Sequence, residues 1–266
     1  MPEGHTVHRL ARQHLTVFGQ HPVEVASPQG RFAPDAGRIS GQTLIGAQAH
    51  GKHEFLHFGA GQWLHVHLGL YGAWTFGAGE PPQPRGAVRV RLVGHQAWAD
   101  LRGPTVCEVI TTQEVAAIRS RLGADPLRRD ADHVAAGARI RRSRAPLGAL
   151  LMQQDVVAGV GNVYRAEALF RGRHDPWMPG RALAAVQWEA IWADLVLLLR
   201  DGVRRGRIVT TLLADRPHRT GAVRREEAYY VYRRAGLPCR ICATLVLAEP
   251  MVGRTLYRCL VCQAAA

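Results

Sequence analysis

Near the start of the chain, apolar residues recur at spacings of three and four. Val7, Leu10, Ala11, Leu15 and Phe18 share one face of a helix predicted over residues 3–18. The period then changes to two. In QWLHVHLGLYG, Leu64, Val66, Leu68 and Leu70 alternate with Trp63, His65 and His67; in AVRVRLV, Val88, Val90 and Leu92 alternate with Arg89 and Arg91. That is the pattern of strands with one face turned to a core. Stretches such as GAGEPPQPRG punctuate these runs, and no segment of helix length separates them. An antiparallel sandwich or barrel is therefore expected, ending at residue 122, rather than a doubly wound sheet.

Beyond it the texture is helical. DPLRRDADHVAAGARIRRSRAP reads as a charged linker with one short helix, and LGALLMQQ, NVYRAEALFRG and ALAAVQWEAIWADLVLLLRDGVRRG read as helices. IVTTLLADRPHRTGAVRREEA reads as an irregular loop. The chain is thus expected to be α+β, with a β domain over 1–122, a helical domain over 123–230 and a small module over 231–266.

Four of the five cysteines fall in that last module, as Cys239-Arg-Ile-Cys242 and, sixteen residues on, Cys259-Leu-Val-Cys262. The spacing suits one Zn2+ held tetrahedrally by four thiolates on a β-hairpin finger turning near Gly253. Four cysteines leave no open coordination position, so the metal would be structural. Two disulfides are the competing reading, against which the cytosolic character of the chain speaks. Cys107 reads as a small hydrophobe rather than a nucleophile.

The formal net charge of +13 points to a polyanionic partner, nucleic acid first and an anionic membrane surface second. No apolar run spans a membrane, and MPEGHTVHR lacks a signal core, so a cytoplasmic location is expected. All but one of the 34 basic residues are Arg; the exception is Lys52. Lysine, unlike Arg, can lose its proton and act as a base or amine nucleophile.

Two further patterns carry chemistry. Pro2 follows Met1, whose removal would expose a secondary amine at the positive end of a helix dipole, where the neutral nucleophilic form is favoured. Glu3 beside it could exchange protons, although Pro-Glu is also an ordinary helix start. Gly159 and Gly161 precede a helix that Asn162 would enter as cap or phosphate donor, or they form a plain helical turn.

Together these features resemble the formamidopyrimidine-DNA glycosylase and endonuclease VIII family. The resemblance rests on PEG at the start, GKH around Lys52, HLGLYG at 67–72, LGADPL at 122–127, VVAGVGNVYRAEALF at 156–170 and the four-cysteine finger, all in family order. It implies a β-sandwich carrying a catalytic N-terminal helix, a helix–two-turns–helix domain and a zinc finger. It further implies an attack by Pro2 on C1′ of a damaged nucleotide, with Glu3 as proton donor. Lys52 would contact phosphate and assist β-elimination, Arg254 would grip phosphate and serve δ-elimination, and Asn162 would touch the DNA backbone. A flipped-out base leaves a gap, which Leu70 and Tyr71 would fill.

PEGH and Leu-Tyr at 70–71 resemble the endonuclease VIII branch, of actinobacterial type. ADLRGP at 99–104 stands where the purine-directed branch has a void-filling loop, leaving Arg102 as a DNA contact. The expected activity is therefore glycosylase plus strand cleavage on oxidised pyrimidines. The partner would be damaged DNA, met by a monomer without a small-molecule cofactor. An oxidised-purine glycosylase, or a DNA-damage-binding protein without catalysis, are the alternatives.

Overall fold

The computed structural model describes residues 2–264. The chain divides into two compact units, Met1–Arg121 and Leu122–Ala266. No helix among the described residues is long and apolar enough to cross a membrane.

The first unit opens with helix α1 (Gly4–Phe18). Strand β1 (Pro22–Ala26), helix α2 (Ala33–Ile39) and strands β2 (Gln42–His50), β3 (His53–Phe58) and β4 (Gln62–His67) follow. Strands β5 (Ala73–Ala78), β6 (Val88–Val93), β7 (Ala97–Arg102) and β8 (Val106–Thr111) and helix α3 (Thr112–Ser120) complete it. All pairings are antiparallel, in the order β5-β7-β6-β1-β2-β3-β4-β8. The β1–β2 pairing is only two residues long, Pro22↔Thr43 and Val23↔Gln42, so the chain forms two four-stranded halves joined at one seam. Their inner faces share one core: Val25, Val90, Leu92 and Leu101 from one half meet Leu44, Leu56, Leu64 and Val66 from the other, closed by Phe18, Phe32 and Ile39. This is the expected sandwich.

Three details depart from the sequence pattern. Helices α2 and α3 lie between and after the strands, where none was expected. In β4, Trp63 and His65 are buried as well as Leu64 and Val66, because α3 covers the outer face through Val115 against Phe55, Trp63 and Ile110. The alternation also stops short of Leu70: β4 ends at His67, and residues 69–71 form a turn closed by Gly72 N donating to Leu68 O at 2.9 Å.

The buried carboxylate of Glu54 holds α1 to β3. It accepts from His14 Nδ1 at 2.9 Å and from Trp74 Nε1 at 2.9 Å.

The second unit contains helices α4 (His133–Arg141), α5 (Leu147–Leu150), α6 (Asn162–Arg171) and α7 (Ala185–Arg205) and the hairpin of β9 (Leu247–Met251) and β10 (Arg254–Arg258). Ile140, Leu150, Val157, Tyr164, Leu169, Trp188, Leu195 and Leu199 form its main core. The helix expected over LGALLMQQ is a single turn. Its continuation is diverted because the Gln154 side chain clasps the following turns, accepting from Gly159 N at 3.0 Å and donating to Val160 O at 2.9 Å. A second cluster seats the hairpin module on α6, with Ala166 and Phe170 against Val231, Val246, Cys239 and Cys259.

Glu167, fully buried on α6, accepts from the backbone N–H groups of Tyr230 (2.8 Å), Val231 (2.9 Å) and Tyr232 (2.8 Å), and from the Thr210 hydroxyl. Glu167→Ala is expected to destabilise the unit by at least about 4 kcal/mol, since each orphaned buried donor costs about 1–3 kcal/mol. Urea unfolding checks this; a loss below about 1 kcal/mol, the worth of one ordinary hydrogen bond, would mean that water replaces the carboxylate.

Candidate active site

Helix α1 starts at Gly4 with Glu3 as its N-cap, so Pro2 lies one residue before the cap rather than in the first turn. The Glu3 carbonyl accepts from Thr6 N at 2.9 Å, and its side chain is fully buried at the positive end of the helix. His5 is also buried, and burial above all lowers its pKa to about 4, so its imidazole is neutral at neutral pH.

Lys52 occupies the two-residue turn between β2 and β3, half-buried. Gly51 takes φ +60°, which the first central residue of a type II′ hairpin requires and glycine alone adopts freely.

The register of packing places these motifs together. Along α1, the residue after Phe18 bridges to Leu44, His14 bonds Glu54 (the partner of Ala49), and Val7 and Ala11 pack on Ala49. The helix therefore runs antiparallel to β2, and its start lies toward the Lys52 turn. His53↔His67 pairing brings the end of β4, and with it the Leu70–Tyr71 turn, to the same end. Tyr71 is 88% exposed and Leu70 41%, where strand packing would have buried them. Ala73↔Arg102 pairing adds Arg102 at that end. Its guanidinium donates to Asp100 Oδ2 at 3.0 Å and to Arg85 O at 3.3 Å, and Asp100 is itself held by Arg91 at 2.7 and 2.9 Å.

A group of histidines that the sequence reading did not single out adjoins the turn. His53 Nδ1 and His65 Nε2 are 2.9 Å apart, and His65 Nδ1 lies 2.9 Å from Glu108 Oε1. His67 Nδ1 lies 2.9 Å from Thr105 Oγ1. Burial lowers all three pKa values, that of His53 to about 3, with the Lys52 charge adding to the effect on His67. Burial pushes the Cys107 thiol up to about 12, in keeping with an inert side chain.

In the second unit, Gly161 is the N-cap of α6 and Asn162 its first residue, so Asn162 is not the cap the sequence suggested. The Asn162 side chain is instead tied to the hairpin, donating from Nδ2 to Thr255 O at 2.9 Å and accepting from Arg165. Arg254, exposed, is the neighbour of Thr255 and the first residue of β10. The turn before it places Val252 at φ +49° and Gly253 at +67°, the pair of left-handed residues a type I′ hairpin needs. Asn162 is thus bonded to the strand residue that follows Arg254.

The four hairpin cysteines bring their sulfurs within 4.8 Å of one another. Cys239–Cys262 and Cys242–Cys259 separations of 3.8 and 3.4 Å are too long for disulfides. They suit a tetrahedral ion, whose thiolates about 2.3 Å away stand roughly 3.8 Å apart. Ile241 N and Cys262 N each lie 3.5 Å from the sulfur of the preceding cysteine in its pair, positioned to donate to thiolates. The Thr244 hydroxyl and backbone lower the Cys242 thiol to about 6. The residues present fit a metal ion.

Comparison with known proteins follows these two regions. Residues 1–107 match the formamidopyrimidine-DNA glycosylase N-terminal domain, and 122–213 the H2TH domain of formamidopyrimidine-DNA glycosylase. The chain belongs to the formamidopyrimidine-DNA glycosylase and endonuclease VIII family. Within it, the "Endonuclease 8 1" of Mycobacterium tuberculosis is 50% identical, over 99% of this chain and 100% of that one. The formamidopyrimidine-DNA glycosylase of Acidothermus cellulolyticus is 29% identical, over 99% and 96%. The Lactococcus lactis Fpg, solved in complex with DNA containing an abasic site, shares the fold with a TM-score of 0.81 at 20% identity, covering 99% of this chain and 100% of that one.

Proposed function

We propose that the chain is a bifunctional DNA glycosylase and abasic-site lyase of base excision repair that removes oxidised pyrimidines. The observation that carries this reading is the meeting, at one end of the first unit, of the α1 start with Pro2 and Glu3 and the turn with the only lysine. Once Met1 is removed, the Pro2 secondary amine attacks C1′, the base leaves, and an iminium forms. Glu3, buried beside the amine, supplies the proton that opens the sugar or neutralises the departing base. The iminium acidifies the C2′ proton; its removal expels the 3′ phosphate by β-elimination, and a second elimination releases the 5′ phosphate. Lys52 contacts phosphate and assists the first elimination, and Arg254 grips phosphate and serves the second.

Asn162 acts with Arg254 on the backbone, and Leu70, Tyr71 and Arg102 occupy the gap left by the flipped base. The exposure of Leu70 and Tyr71 supports the wedge, while the bonds of Arg102 to Asp100 leave it a smaller share of the contact. Zn2+, one per chain, is the ion that four thiolates of this spacing select, and when bound it staples the finger. Residues 1–122, 123–230 and 231–266 serve as sandwich, helical and finger domains of a cytoplasmic monomer that works on nucleoid DNA without a small-molecule cofactor.

The pyrimidine branch rests on PEGH and the Leu70–Tyr71 turn, and on the greater identity to the endonuclease 8 relative than to the Acidothermus one. Borohydride trapping on duplexes carrying thymine glycol or 8-oxoguanine tests it, with the crosslinked residue mapped by mass spectrometry. A Pro2 crosslink on the thymine glycol duplex is expected. Trapping with 8-oxoguanine alone would reverse the branch, and tight binding without trapping would leave a damage-binding protein.

Lys52→Arg keeps the charge but raises the side-chain pKa beyond use as a base. It is expected to slow strand cleavage by about 10²-fold, the lower range for a lost acid–base group. DNA affinity, measured alongside, should hold. An unchanged single-turnover rate would take Lys52 out of the chemistry.

A further inference from the structure

Leu70 and Tyr71 are exposed, so no core packing sets the shape of the turn that carries them. Its backbone has to do so. Leu68 is buried and anchors the near side, and Gly72 N closes the turn on Leu68 O. Gly69, at φ +65°, makes the reversal between them, a conformation that suits glycine. Its N–H donates to Nδ1 of the His67 ring at 3.2 Å. That bond fixes the tautomer: Nδ1 carries the lone pair and the ring proton sits on Nε2.

The residues between β7 and β8 back this turn. The Thr105 hydroxyl oxygen lies 2.9 Å from His67 Nδ1 and 3.0 Å from His67 O. Both atoms are acceptors, so the hydroxyl proton is held between them and the ring cannot swing away without losing it. Thr105 N donates to the same carbonyl at 2.9 Å. A Cβ on Gly69 would stand 2.3 Å from Thr105 Cγ2, so the two loops are in direct contact. Burial first, then the charges of Lys52 and His65, lowers the His67 pKa and favours the neutral ring that accepts from Gly69.

We propose that Thr105, acting through His67, is a positioning residue that preforms the Leu70–Tyr71 turn for entry into the DNA stack. The proposal rests on the wedge role given to that turn above. Inserted side chains offset the cost of unstacking only when they arrive in place. A turn that must first be ordered spends part of the binding energy on its own ordering. The chain Thr105 hydroxyl, His67 ring, Gly69 N–H removes that cost, because it fixes the residue from which the two exposed side chains start.

Thr105→Val removes the hydroxyl and keeps the shape, whereas Thr105→Ser keeps the hydroxyl; Thr105 is exposed, so neither disturbs the core. Two quantities are measured. One is hydrogen exchange of the Gly69 amide in the free protein, followed by NMR. The other is single-turnover base release from whichever duplex, thymine glycol or 8-oxoguanine, the wild type cleaves. Thr105→Val is expected to speed the exchange and slow the release by about three- to tenfold each, the worth of one ordinary hydrogen bond. Thr105→Ser should stay within about twofold of wild type in both. With Leu70→Ala and Tyr71→Ala already present there is no wedge to position, and adding Thr105→Val should cost less than about twofold more. Wild-type exchange or wild-type release in Thr105→Val, a Ser variant as impaired as the Val variant, or a full additive loss without the wedge would overturn the proposal. A wild type that releases neither base would overturn the glycosylase reading, and the positioning role with it, whatever the Gly69 exchange.

Discussion

A single extra residue ahead of Pro2 is expected to abolish base release while leaving DNA binding within about twofold. The size of the effect follows from the chemistry. A terminal secondary amine has a lone pair and titrates near pH 8, whereas the same nitrogen in a peptide bond is a tertiary amide with no nucleophilic pair to offer. The nucleophile itself is lost, so the loss should span several orders of magnitude and fall on kcat, as expected for a covalent step. The geometry separates this from damage to the fold. Pro2 precedes the cap, the first helical bond runs from Thr6 N to Glu3 O, and neither atom is altered by an extension. Thermal unfolding should therefore be unchanged. Glu3→Gln provides the complementary case, with the amine intact and the proton donor gone, and a loss of about 10²–10⁴-fold is expected. The decisive measurement is single-turnover base release together with binding. Full activity from the extended chain would remove the imine from the mechanism.

Much of this site was legible along the chain. The α1 periodicity, the alternation in β4 and β6, and the cysteine spacing each produced the element they implied, because each depends on local pattern. Helix α3 was missed although Thr111 and Glu114 form a capping box, a signal the sequence does carry. Its apolar face is only Val115 and Ile118, too narrow for periodicity to register, and α2 is only seven residues long. The buried polar groups were the other gap. Nothing near Glu54 announces His14, forty residues earlier, or Trp74, twenty later, and Glu108 lies on a different strand from the histidines it orders. Such networks depend on register between strands, which a single sequence does not specify. Asn162 shows the same limit: its place at the start of α6 was readable, but its bond to Thr255 O joins residues 93 apart.

That bond makes the finger part of the helical unit's working surface, and it sets the second large expectation. Removing the metal, with a strong chelator or with Cys259→Ser, is expected to unfold the finger and lose most DNA affinity. A structural Zn2+ site contributes about 10–16 kcal/mol of apparent binding free energy, far more than a module of this size gains from burial. Cys259 and Cys239 are themselves in the small cluster that joins the hairpin to Ala166 and Phe170 of α6, so losing the metal also loosens that seat. Arg254 then has no fixed position, and Asn162 loses the Thr255 carbonyl. The first unit shares none of these contacts, and its β signature should persist in circular dichroism. Metal analysis should find one zinc per chain, and re-addition of Zn2+ should restore binding. If the metal-free protein binds abasic-site DNA as tightly as before, then the finger does not hold the backbone, and phosphate contact must be sought among the other arginines of the second unit.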